Sequence, residues 1–135
     1  MKRWLLDTSA LLALRDDEAG AEEVAALLRE ARQGKARCFG SFMTQMEVLY
    51  RVWKDEGEPA GRLALAQCLD LPIEWLHETP PLLHAAARIK ATRRVALADA
   101  WIAASAELED ATLVHKDPEF ESLDIPQRAL PYKGP

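Results

Sequence analysis

Cysteine is nearly missing from this chain, and the two present, Cys38 and Cys68, match neither a zinc-ligand spacing nor a disulfide framework. Both read as small buried residues of a reduced, cytoplasmic protein. Histidine is scarce too, with three in all, and His77, His84 and His115 have no metal-ligand spacing. Neither GxGxxG nor a Walker sequence occurs, so no glycine-rich loop cradles phosphates, and the absence of GxSxG removes the serine nucleophile elbow. Long apolar runs are lacking as well. The stretch that opens at Trp4 is interrupted by Asp7 and closed by Arg15-Asp16-Asp17, short of the roughly 7–15 uncharged residues of a secretory segment. Nothing approaches the ~20 apolar residues of a membrane span. Nor is there an excess of positive charge: 17 basic against 22 acidic residues give −5, so attraction to nucleic acid or membrane by bulk charge is not the organising feature.

What remains is an ordinary globular composition, 49% hydrophobic and 29% charged over 135 residues, enough for one core and one domain spanning 1–135. Trp4–Leu6 reads as a short buried strand, followed by capping residues Asp7-Thr8-Ser9 and a helix over Ala10–Leu14. Val24, Leu27, Leu28 and Ala31 recur on one helix face, with Gly34 as the stop. Ala36–Phe39 is a second strand. A third helix carries Met43, Met46, Leu49, Tyr50 and Trp53 on its apolar side, is broken at Glu56–Pro59, and gives way to another helix over Ala60–Leu69. Leu71–Leu76 reads as an edge strand because Pro72 cannot donate to a ladder. Thr79-Pro80 starts a helix running through Leu82–Lys90, and Leu97–Leu108 is an alanine-rich helix. Ala111–His115 has the β-branched, apolar character of a buried parallel strand, Pro118–Leu123 makes a turn of helix, and Ala129–Pro131 adds a last edge strand. Strands alternating with helices predict a three-layer α/β/α fold with a short central parallel sheet.

Four acids lie in unexpected company. Asp7 and Asp117 each end an expected strand, on the edge where open α/β sheets bind ligands. Glu47 falls within the apolar stripe of the third helix, and Asp99 sits in Ala96–Ala104 with no charged neighbour within three positions. Each has an innocent explanation taken alone. Asp7 and Asp117 can cap the helices that follow, Glu47 can pair with a neighbouring arginine, and Asp99 can answer a helix dipole. Together they predict convergence at one end of the sheet, where burying unpaired carboxylates costs several kcal/mol unless a cation compensates. Carboxylate oxygens without His or Cys select a hard ion, Mg²⁺ or Mn²⁺, which can activate water against a phosphodiester.

The segments Leu5–Leu12, Met46-Glu47-Val48, Leu97–Ala104 and Ala111–Phe120, in this order, resemble the PIN-domain family and, within it, VapC-type toxins. The resemblance covers essentially the whole chain. It implies a PIN-like α/β/α fold and a Mg²⁺-dependent endoribonuclease that leaves 5′-phosphate and 3′-hydroxyl ends. The catalytic quartet would be Asp7, Glu47, Asp99 and Asp117, with Asp7, Asp99 and Asp117 as metal ligands and Thr8 or Ser9 as the accompanying hydroxyl. It also implies inhibition by a cognate antitoxin and assembly as a homodimer. Two positions depart from the family pattern: Ala96 stands where many relatives have a capping Ser, and His115 where many have Thr or Ser.

Arg93, Arg94 and Lys116 are the expected RNA-phosphate contacts, the first two in the densest basic cluster and the third beside Asp117. Trp53, Trp75 and Trp101 are expected in the core or at a subunit interface, with Trp101 facing away from Asp99, and Tyr50 and Trp53 as lining for a partner helix. Two other functions compete. In a haloacid-dehalogenase-like phosphohydrolase Asp7 would be a nucleophile, but Ser9 stands where that reading needs a second Asp. A non-catalytic antitoxin-binding protein has no reason to keep the quartet.

Overall fold

The structure, a computed structural model, describes residues 1–132; the expected domain, 1–135, runs three residues further. Five strands, β1 (Lys2–Leu6), β2 (Ala36–Ser41), β3 (Glu74–Leu76), β4 (Thr112–His115) and β5 (Gln127–Ala129), form one sheet in the order β3-β2-β1-β4-β5, every neighbouring pair parallel. Helices α1 (Thr8–Arg15) and α2 (Ala21–Arg32) join β1 to β2. Helices α3 (Phe42–Glu56) and α4 (Glu58–Leu69) lead to β3, and α5 (Pro80–Thr92) and α6 (Leu97–Leu108) return the chain to β4. A 3₁₀ turn over Pro118–Ser122 precedes β5.

Strand alternation sorts the core into two halves. Leu5, Phe39 and Leu113 point to one face and pack under α5 and α6 with Leu82, Ile89, Ile102 and Ala103. Leu6, Cys38 and Val114 point to the other and meet Ala10, Val24, Val48 and Ala64 of the first four helices. The cysteines are buried there, as their scarcity and isolation predicted. The chain moves outward from β1 to β3, then crosses back to place β4 on the opposite side of β1. This reversal opens a crevice beyond the carboxyl ends of β1 and β4. Asp7 follows β1 directly, and its N–H donates to Val114 O of β4 (3.1 Å).

Local departures have local causes. The strand expected over Leu71–Leu76 is confined to Glu74–Leu76, because the chain turns at Pro72, where Ile73 N–H donates to Leu71 O (2.7 Å). The final strand precedes Ala129–Pro131 by two residues. Leu130 lies just past it, buried, with its N–H bonded to His115 O (2.7 Å). The apolar stripe of α3 is the largest correction: Met46, Tyr50 and Trp53 are exposed, and the face turned inward carries Thr44, Glu47, Val48 and Val52. Packing against α4 displaces the expected face. Gly61 of α4 lies so close to α3 that a Cβ there would stand 2.8 Å from Leu49 O and 2.9 Å from Trp53 Cβ.

Candidate metal centre

Asp7 is the innermost acid. It caps α1, its Oδ1 accepting from Ala10 N–H (3.0 Å) and from the Ser9 hydroxyl (2.7 Å). Ser9 Oγ in turn accepts from Lys116 N–H (2.8 Å), which ties the start of α1 to the end of β4. Only 3% of Asp7 is exposed, and burial, reinforced by the charges of Asp117 and Glu47, pushes its carboxyl up to about 7. Capping and membership of an acidic group are thus compatible, since one oxygen serves the helix and the other stays available.

Asp117 is fixed by the residues around it. Its Oδ1 accepts from Glu119 N–H (3.0 Å), capping the 3₁₀ turn, and its own N–H donates to His115 Nδ1 (3.1 Å). With Nδ1 an acceptor, the imidazole proton lies on Nε2, which donates to Gln127 Oε1 (3.0 Å). The Gln127 amide then donates to Phe120 O (2.8 Å) and Leu123 O (2.9 Å). His115 is fully buried, and burial lowers its pKa, so it is a neutral strut for the Asp117 loop.

Asp99 is the third residue of α6, where the helix dipole favours a carboxylate. It is half-buried beside Glu119. Burial first, then Glu119, Asp117 and Asp7, raises its carboxyl to about 7. Oxygen atoms of Asp99, Asp117 and Glu119 all lie within 4.8 Å of one another. Glu47 stands behind Asp7, outside that tight group. Its Oε1 accepts from the Thr8 hydroxyl (2.7 Å), which also lies 3.0 Å from Thr44 Oγ1, and its Oε2 is 3.3 Å from Arg51. The donors are carboxylate oxygens without nitrogen or sulfur, and burial, with the neighbouring carboxylates, raises two of them, Asp7 and Asp99, to about 7. That set fits a hard divalent cation.

The four acids read from sequence are therefore linked by charge, Asp7 to both Asp117 and Glu47 and Asp99 to Asp117 and Asp7, with only Asp99 and Asp117 of the four in the tight group. Glu119 is an addition. Its signal was present, an acid two residues beyond Asp117, but only the return of α6 beside the 3₁₀ turn brings it to Asp99. The basic residues are placed differently from one another. Lys116 is 5% exposed at its side chain, and its ammonium is spent on Ala19 O (2.8 Å) and Glu18 (3.5 Å). Arg93 lines a separate cavity of about 360 Å³ with Arg88, Glu107, Asp110 and Asp124, and Arg94 beside it is exposed. Arg51 instead borders a groove of about 640 Å³ that runs from Ser9 and Asp117 past Tyr50 to Tyr132. Its signal was its place four residues after Glu47.

A second, apolar groove of about 210 Å³ lies among Leu11, Leu12, Leu14, Val48, Ala64 and Leu71, where α1, α3 and α4 meet. Tyr50 and Trp53, the expected lining for a partner helix, do not border it. Trp101 packs edge-on against Phe42 (5.2 Å between ring centres), and Trp75 covers Gly40 closely enough to exclude a Cβ there.

Residues 4–126 match the PIN domain family. Among solved structures, VapBC2 of Rickettsia felis bound to a promoter DNA fragment superposes with a TM-score of 0.77 at 16% identity, covering 96% of this chain and 99% of that one. DNA-bound VapBC of Salmonella typhimurium gives 0.76 at 20% identity over 96% and 98%. VapC20 of Mycobacterium tuberculosis, described as a sarcin-ricin loop cleaving toxin, gives 0.70 at 18% identity over 90% and 95%. At these identities the likeness establishes the fold. No curated protein sequence matches the chain.

Proposed function

We propose that this chain, which belongs to the PIN domain family, is a divalent-metal-dependent endoribonuclease and the toxin member of a toxin–antitoxin pair. The observation that carries the proposal is the acidic group itself: three carboxylates within 4.8 Å, with buried Asp7 beside them, at the crevice where the strand order reverses. Asp7, Asp99 and Asp117 are the residues to hold the ion, Mg²⁺ or Mn²⁺, and Glu47 stands behind Asp7 as the fourth acid of the quartet. When bound, the cation supplies the positive charge that polarises a phosphodiester oxygen and activates a water.

The chain's own residues do the rest. Ser9 and Ala10 hold Asp7 by one oxygen, His115 and Glu119 hold Asp117, and Thr8 and Arg51 fix Glu47, so the acids need little rearrangement. Arg51 is the best-placed contact for an RNA phosphate, since it borders both Glu47 and the groove. Arg93 and Arg94 are exposed beside the start of α6, whereas Lys116 has its ammonium on Ala19 O and Glu18 and its N–H on Ser9, and so offers no donor to a phosphate.

The apolar groove among α1, α3 and α4 supports an antitoxin helix, seated by Leu and Val side chains. A cytoplasmic location and homodimerisation accord with the VapC-like architecture. The phosphohydrolase alternative is weakened further, because Ser9 is committed to Asp7 and Lys116 N–H rather than offering an acid.

The test is incubation of the purified, partner-free chain with cellular RNA and Mg²⁺ or Mn²⁺, alongside Asp7→Asn and Asp99→Asn. Discrete, EDTA-sensitive fragments that both substitutions abolish are expected. Intact RNA with folded wild-type protein and either metal would overturn the proposal.

A further inference from the structure

We infer that Glu119 is a positioning residue, which clamps the segment carrying Asp99 to the one carrying Asp117 by giving the N–H at the start of α6 the acceptor that Asp99 does not supply. The inference rests on the nuclease reading of the acidic group and assigns a role to a residue outside its quartet. Helix α6 begins at Ala96, whose backbone is extended (φ −62°, ψ 155°) and whose methyl side chain accepts no hydrogen bond. The first N–H groups of a helix have no partner within it, and a Ser, Thr, Asp or Asn cap ordinarily answers one of them. Ala96 offers no such oxygen, and the N–H of the cap residue itself is answered from 23 residues away: Ala96 N–H donates to Glu119 Oε1 (3.2 Å). In a capping box the reciprocal bond to the cap N–H comes from the third residue of the helix. That residue here is Asp99, whose carboxyl instead faces Asp117 and Glu119.

Glu119 therefore holds both sides of the centre. Its backbone N–H donates to Asp117 Oδ1 (3.0 Å), and its side chain anchors the residue whose carbonyl accepts the first α6 bond, from Ala100 N–H (3.0 Å). Asp99 lies one helical turn beyond that anchor. A change of register or tilt at Ala96 moves its carboxyl relative to Asp117, and displacements of about 1 Å cost rate steeply. Glu119 is exposed, so removing its side chain leaves the core untouched.

Glu119→Ala deletes the side-chain bond but retains the backbone N–H to Asp117, whereas Glu119→Gln keeps an acceptor oxygen and removes the charge. Backbone amide exchange by NMR and single-turnover RNA cleavage in Mn²⁺ are measured on wild type and both variants. Glu119→Ala is expected to speed exchange at Ala96 about tenfold or more and to lower kcat by roughly 10- to 100-fold, with KM for RNA unchanged. Glu119→Gln is expected to keep Ala96 exchange within about threefold of wild type and to cleave RNA faster than Glu119→Ala. Unchanged Ala96 exchange in Glu119→Ala overturns the clamp. A Glu119→Gln enzyme as slow as Glu119→Ala, with Ala96 still protected, overturns it too and makes the charge the active feature. Should wild-type protein cleave no RNA, the nuclease reading fails on its own, and amide exchange still decides whether the clamp exists.

Discussion

Asp7 divides its two oxygens between a helix and a centre, and the division has a thermodynamic consequence. Its carboxyl titrates near 7 in the folded chain and near 3.8 when solvated, so between those values the folded protein holds a proton that the unfolded chain has released. The Asp7 contribution to the stability of the metal-free protein therefore falls as pH rises through that window and levels off above about 7. Asp99, raised in the same direction, adds to the slope. Urea denaturation of wild type against Asp7→Asn from pH 4.5 to 8 checks this, and a stability advantage of Asp7→Asn that does not grow with pH would contradict it. Asp7→Asn keeps an oxygen for Ser9 and Ala10 while removing the charge. It is expected to gain ~1–3 kcal/mol in metal-free stability at pH 8 and to lose more than ~100-fold in RNA cleavage. The sequence showed Asp7 and Asp117 because strand ends and caps are local signals. It showed neither the Lys116 ammonium folded back onto Ala19 nor Glu119 at Ala96, because both depend on which segments the fold brings side by side.

Elements place these residues, and α3 shows how. A helix that packs on the sheet side and on α4 cannot be read from a single apolar stripe. Met46, Tyr50 and Trp53 look like that stripe yet lie outward, while Thr44 and Glu47 lie inward because Thr8 of α1 offers them a hydroxyl. Thr8→Val leaves the buried Glu47 carboxylate without its 2.7 Å donor and is expected to cost ~1–3 kcal/mol, read by urea denaturation. The contact between α3 and α4 is equally specific. At Gly61 an added Cβ meets Leu49 O at 2.8 Å and Trp53 N at 3.0 Å, backbone atoms that cannot swing aside. Gly61→Ala is expected to destabilise by ~1–3 kcal/mol despite its better helix propensity, and a stabilised variant would refute this packing. Strand β3 taught the converse lesson. Pro72 was visible as an edge signal, and the same proline confined the strand to three residues.

At the scale of the whole molecule, strand order does the decisive work. Alternation of strands and helices was enough to predict a covered parallel sheet, and the acids at two strand ends were enough to predict a common edge. The reversal between β1 and β4, which makes that edge a crevice, required the three-dimensional order. The acids gathered there give a centre short of positive charge, so binding of Mn²⁺ is expected to raise the melting temperature. The effect should be larger at pH 8 than at pH 6, where protons hold Asp7 and Asp99, and it should be lost in Asp99→Asn. A rise of equal size at both pH values, or one retained by Asp99→Asn, would place the ion elsewhere. The chemistry of the cleaved ends tests the central claim most directly. RNA fragments produced by wild-type protein in Mn²⁺ should carry 5′-phosphate and 3′-hydroxyl termini, because water is the attacking group. Fragments ending in a 2′,3′-cyclic phosphate would mean that the RNA's own 2′-hydroxyl attacks, and would contradict a centre built to activate water.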